Sequence, residues 1–215
     1  GGSIARGLKA VDSSQRVLAA DLDGKSLQAA IEDKSIDAAG DLESLCPHAE
    51  IIVIALPPLA INAVLPIIYA HMDAAAVVTD VASVKSHILK TLDTLDEGFQ
   101  RRFVPGHPIA GSEQSGYRAS RAELFAQRNV ILTPLPTTSP EAVAIVNCMW
   151  RQLGANVLGM SICRHDEVLA ATSHLPHLLA FAIVDVLVKQ ELSADIFRYA
   201  AGGFADFSRL ASSDA

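Results

Sequence analysis

An α/β fold, with a mostly parallel sheet followed by an all-helical domain, is predicted by three observations. Short apolar runs alternate with helix-length patterned segments along the first 161 residues, the rhythm of repeated strand–helix–strand units. The strongest run, Ile51-Ile52-Val53-Ile54-Ala55, is continuously apolar, as expected of a strand buried on both faces beneath helices. After about Ser161 the alternation stops and one long helical pattern takes over. The chain therefore divides into residues 1–161 and residues 162–215.

Five strands are expected in order: Val17–Ala20, Glu50–Leu56, Ala76–Thr79, Asn129–Thr133 and Asn156–Gly159, with helical patterns after four of them. Ile51 to Ala70 is apolar enough to suggest a membrane span, but Pro57, Pro58 and Pro66 divide it into strand, turn and helix. The second domain opens with a helix over 166–192. Leu169, Leu178, Leu179, Phe181, Ile183, Val184, Val186, Leu187 and Val188 make it apolar nearly all round, more than one core-facing stripe requires. A helix buried inside an oligomer would account for the excess.

Composition narrows the function. Of the 215 residues, 50% are apolar, enough to fill a core. The net charge of -7, with no basic run longer than Arg101-Arg102, argues against a nucleic-acid partner. Cys46, Cys148 and Cys163 are odd in number and far apart, which fits a reducing, cytoplasmic setting better than a disulfide framework. No membrane attachment is expected.

The chain opens Gly1-Gly2-Ser3, continues as a short helical stretch, then reaches a strand ending at Asp21. This is the second half of the order strand, glycine turn, helix, strand, acidic residue that marks a Rossmann-like dinucleotide-binding unit. In that reading the chain lacks its first strand and leading glycines, and it is cut short at both ends. Ser3 reads equally as a helix N-cap, and Asp21 as a turn residue beside Asp23-Gly24. If Asp21 meets a ribose, its charge disfavours a 2′-phosphate, so NAD is expected over NADP. Leu56-Pro57 and Asp80 to Ser83 lie at the carboxyl ends of expected strands, where open α/β sheets bind ligands; Ser83 also reads as a helix N-cap.

Gly106-His107-Pro108-Ile109-Ala110-Gly111 sets a histidine between a strand-like run and a glycine turn. A histidine titrates near neutrality and can take the proton of a substrate hydroxyl as hydride leaves the adjacent carbon, although a turn histidine is more often structural. His174 and His177 are three apart, without an evident third metal ligand. No metal is expected. Arg209 suits a planar carboxylate, its ordinary alternative being a solvated surface arginine.

Taken together, these segments resemble the prephenate and arogenate (cyclohexadienyl) dehydrogenases of tyrosine biosynthesis. The segments are Gly1-Gly2-Ser3, Asp80 to Lys85 (DVASVK), Gly106 to Gly116 (GHPIAGSEQSG), His165-Asp166, Ser173 to His177 (SHLPH) and Gly202 to Arg209 (GGFADFSR). The resemblance implies oxidative decarboxylation of prephenate or arogenate with NAD: hydride leaves the ring carbon that bears the hydroxyl, carbon dioxide departs, and the ring becomes aromatic. His107 would bond that hydroxyl and Ser83 would assist it. Glu113, Ser173, His177 and Gly202 would line the substrate pocket, and Arg209 would bind a substrate carboxylate. Gly1, Gly2, Ser3, Asp21, Leu56, Pro57 and Asp80 would contribute to the cofactor site. The resemblance also implies a helical domain that dimerises. Ala205 departs from relatives, in which a basic residue is common at that place.

Two competing readings are weaker. Another two-domain hydroxyacid dehydrogenase, of the 3-hydroxyisobutyrate type, would need a catalytic lysine, and after Ser161 only Lys189 is available, deep in the apolar helix. A non-catalytic nucleotide-sensing domain would leave His107, His177 and Arg209 together without a purpose.

Overall fold

The computed structural model describes residues 1–111, 116–190, 192–199 and 202–212. By the clustering of their contacts they form two compact units, one running to His165 and the other from Asp166 onward.

The first unit opens with α1 (Gly2–Val11). Then come β1 (Leu18–Ala19), α2 (Gly24–Glu32), β2 (Ala38–Ala39), α3 (Leu42–Leu45) and β3 (Ile51–Ile54). They are followed by α4 (Pro58–His71), β4 (Val77–Asp80), α5 (Leu89–Leu92), α6 (Glu97–Arg102) and β5 (Phe103–Pro108). The unit closes with β6 (Asn129–Leu132), α7 (Pro140–Gln152), β7 (Asn156–Gly159) and the start of α8 (Ile162–Leu169). β1 and β2 pair in parallel as a separate ribbon, and the main sheet has the order β3-β4-β5-β6-β7. All its pairings are parallel except that of β5 with β6.

The side-chain alternation of the strands builds two cores, one on each face of this sheet. Val77 and Val104 point to one face, where they pack with Ile4 of α1 and with Val146, Met149 and the fully buried Trp150 of α7. Val78 and Phe103 point to the other, against Ile61, Leu65 and Ile68 of α4 and Phe99 of α6. Helices therefore cover both faces.

Three expectations change. All four residues of β4 are buried, but Ile51, Ile52 and Val53 of β3 are only half-buried, because β3 pairs with β4 alone among the described strands. β2 escapes prediction because Ala38-Ala39 offers neither β-branching nor alternation. β5 escapes because Phe103-Val104-Pro105-Gly106-His107-Pro108 carries two prolines. Both fall where the ladder can do without a donor. Pro105 is level with Thr133, one residue past the end of β6, and Pro108 lies past the last residue of β4 that pairs with β5.

In the second unit, α8 continues through a π-helical turn (Ala170–His174) into α9 (Leu175–Val188). Pro176 has no N–H for the Thr172 carbonyl four residues earlier, a local reason for the wider turn. The expected helix over 166–192 thus starts earlier and stops at Val188. By length and apolarity, Ile162–Val188 could also cross a membrane. α10 (Ser193–Arg198), α11 (Gly202–Ser208) and a 3-10 turn (Arg209–Ser212) follow.

Candidate active site

The best-built chemistry of the first unit lies at the carboxyl ends of β4 and β5. Asp80 ends β4 with no exposure to solvent, and Lys85, equally buried, reaches back to pair with it. The Asp80 carboxylate is held by three donors. Oδ2 accepts the Lys85 ammonium and the Ala82 N–H at 3.0 Å, and Oδ1 accepts the Gly106 N–H at 3.3 Å. Lys85 Nζ also donates to the Gly106 carbonyl at 2.6 Å. Burying two charges is costly unless each is paired and hydrogen-bonded, and here both are. Their common object is Gly106, whose N–H and C=O are both gripped.

Only glycine fits there comfortably. A Cβ at residue 106 would come within 3.0 Å of the Asp80 carbonyl and 3.3 Å of Leu132. The close approach of β4 and the ion pair therefore fix the backbone immediately before His107. On the other side, the ladder sets His107 opposite Ile131.

The half-buried His107 ring meets His165 of α8, with Nδ1 of His107 2.8 Å from Nε2 of His165. The rings stand edge to face, with centroids 5.1 Å apart. His165 is completely buried. A His107 held through Nδ1 has its other nitrogen, Nε2, on the opposite side of the ring, the geometry of a histidine that works through Nε2.

Ser83, in the loop between Asp80 and Lys85, is exposed and caps no helix. The segment after it is a 3-10 turn, Ser86–Ile88, and α5 begins only at Leu89, so the N-cap reading of Ser83 falls. Ser3 is no N-cap either. Gly1 holds that position, and the Ser3 hydroxyl accepts the Arg121 N–H at 3.1 Å. Gly2 lies under Tyr117 and Ser120. Asp21 is exposed just beyond β1, with one carboxylate oxygen accepting the Asp23 N–H at 2.8 Å. Leu56 and Pro57, after β3, are exposed as well.

Farther along the chain, Tyr117 anchors the backbone to α1 and α2. Its hydroxyl donates to Asp33, and Arg6 lies 4.6 Å above its ring. Burial and the Asp33 carboxylate together raise the Tyr117 pKa. Glu113 lies outside the described residues.

In the second unit, the π-helical turn contains Ser173, whose carbonyl accepts Nδ1–H of His177 at 2.9 Å. Both residues are half-buried. Gly202 opens α11 and Arg209 follows it, both exposed.

Two participants have no role in the reading by residue type and spacing. Lys85 lies in a loop five residues after Asp80, where no periodicity signals a pair. His165 is 58 residues from His107, and only folding brings them together.

Residues 4–159 match the family model described as prephenate dehydrogenase, nucleotide-binding domain, and residues 162–215 that described as prephenate dehydrogenase, dimerization domain. A cyclohexadienyl dehydrogenase of Zymomonas mobilis is 35% identical over 176 residues, covering 81% of this chain and 59% of that one. A prephenate dehydrogenase of Bacillus subtilis is 34% identical over 99% of this chain and 58% of its own length. The chain thus spans somewhat under two thirds of these curated relatives. A crystal structure of prephenate dehydrogenase from A. aeolicus, in complex with hydroxyphenyl propionate and NAD+, superposes with a TM-score of 0.90 at 32% identity, over 99% of this chain and 74% of that one. On two family models that together take in nearly every residue, the chain belongs to the prephenate dehydrogenase family.

Proposed function

We propose that the full-length protein is a cytoplasmic, NAD-dependent dehydrogenase that oxidatively decarboxylates prephenate or arogenate in tyrosine synthesis. The observation that carries this reading is His107, fixed in backbone by the Asp80–Lys85–Gly106 network and in ring by His165. Residues 1–161 would form the cofactor domain and residues 162–215 part of the substrate and dimerisation domain.

The residues at the carboxyl edge suit a dinucleotide. α1 starts at Gly2 with no side chain capping it, so its first N–H groups can meet pyrophosphate. Asp21 would receive the ribose hydroxyls, and Leu56 and Pro57 would flank the cofactor. Ser3 and Asp80 have side chains engaged within the protein, so they would contribute through backbone and position. Asp21 favours NAD over NADP through its charge. When bound, NAD supplies the hydride acceptor.

The protein's own part is proton handling and orientation. His107 Nε2 takes the hydroxyl proton as hydride leaves the same ring carbon, giving a dienone. Loss of carbon dioxide aromatises the ring, and the proton returns to what is now a phenolic oxygen. Ser83 assists at that hydroxyl, Ser173, His177, Gly202 and Glu113 shape the pocket, and Arg209 holds a substrate carboxylate by a charge-assisted bond. Arg209→Ala is expected to raise KM roughly 10- to 100-fold while changing kcat much less, since a bond to a charged partner contributes about 1.5–3 kcal/mol. A KM unchanged in steady-state assays would remove Arg209 from this role.

The apolar outer side of α9, with Leu178 66% and Val186 57% exposed, is read as a homodimer contact and not as a membrane surface. Leu178→Glu should convert the full-length dimer to monomer in gel filtration; an unchanged elution volume would exclude this face. The overall reading is tested by following reduced NAD absorbance with the full-length protein on prephenate and on arogenate. Turnover of neither would overturn it.

A further inference from the structure

We propose that His165 is the positioning residue that sets the working tautomer of His107, by accepting the His107 Nδ1–H on its own Nε2. The inference rests on the dehydrogenase reading for its kinetic consequence, but its geometry stands independently: two ring nitrogens 2.8 Å apart, one belonging to a completely buried ring.

At that distance the two nitrogens share one proton, and its placement decides what His107 can do. If His165 donated, a neutral His107 would carry its proton on Nε2 and present a donor to the substrate hydroxyl, unable to take a proton from it. If His107 donates, its Nε2 carries the lone pair and can act as base. Only the second arrangement serves the proposed chemistry.

The surroundings favour a fixed partner. His165 has no exposure, so bulk water does not compete for its ring. Its backbone N–H donates to the Ser161 carbonyl at 2.9 Å as α8 begins. His107 is held at the other end by β5, so two independent elements set the separation of the rings. As His107 gains the hydroxyl proton it becomes an imidazolium, and its Nδ1–H bond to the His165 ring nitrogen becomes charge-assisted and stronger. The bond thus favours the protonated intermediate over the resting base, as the orienting group of a catalytic histidine does.

The test has two arms on the full-length protein. In nitrogen-labelled protein, NMR should show scalar coupling across an N–H···N bond between the two rings, with the proton covalently on His107 Nδ1. His107→Asn and His165→Gln assign the signals. A proton on His165 Nε2, or no coupling, overturns the proposal.

In steady-state kinetics, His165→Leu should lower kcat about 10- to 100-fold, the usual loss for removing an orienting partner, with little change in KM. His165→Gln should recover most of that rate, because its side-chain carbonyl can accept the same N–H. NAD affinity, unaltered in both variants, reports that the fold survives; if the Leu variant loses it, the Gln variant and the NMR arm decide. Wild-type kcat in His165→Leu, or a loss in His165→Gln as large as in His165→Leu, sinks the proposal. Absent turnover by the wild type with the coupling present would instead refute the dehydrogenase reading and leave the tautomer assignment intact.

Discussion

His107→Asn is expected to lower kcat by about 100- to 10,000-fold, the span that positioned proton transfer contributes, while KM changes little. Asparagine keeps a polar group on the Cβ and can still bond a substrate hydroxyl. It has no group that takes up a proton near neutral pH, so hydride transfer must proceed from a fully protonated hydroxyl. Because His107 sits on a paired strand and follows a gripped Gly106, the change should leave the backbone in place. The loss should therefore appear in the chemical step. Steady-state kinetics on the full-length protein with NAD and prephenate, joined to a thermal melt to confirm folding, provide the check. A variant that keeps the parent kcat would require another base and would remove the basis of the proposed mechanism.

His107 also marks how far the sequence could be read. Its turn motif identified it as a candidate, yet by residue type and spacing a structural histidine was the commoner reading, and only agreement with distant segments favoured catalysis. The runs at β3, β4, β6 and β7 were legible because short apolar or β-branched stretches between helical patterns have few other uses, although only β4 and most of β6 are buried. β5 was not, since two prolines normally exclude a central strand, and their tolerance depends on where neighbouring strands end. That is tertiary information. Lys85 and His165 were hidden for the same reason: each acts on a residue that only the sheet brings near. Asp80 was legible by position but not by role. Its place at a strand end suggested a ligand for the cofactor, whereas its carboxylate is wholly enclosed by protein donors.

Removing one half of the Asp80–Lys85 pair should destabilise the first unit by about 3–5 kcal/mol, because the remaining charge is left buried without its partner. In a chain of this size that corresponds to a fall of roughly 10 °C in its thermal midpoint. Lys85→Met leaves the Asp80 carboxylate with neutral N–H donors only. Asp80→Asn strands the ammonium and sets an amide against Gly106, where one carboxylate oxygen had accepted an N–H. The double variant Asp80→Asn/Lys85→Met buries no net charge, so it should recover much of the stability lost by either single change. Activity should not follow. Without Lys85 the Gly106 carbonyl loses its 2.6 Å bond, and His107, the next residue, loses the fixed backbone from which its ring reaches His165. Thermal midpoints that add independently across the two sites would mean no energetic coupling, contrary to a buried pair. Recovery of kcat together with stability would show that the pair serves folding alone, whereas a stable but slow double variant is the result expected of a network that exists to hold Gly106.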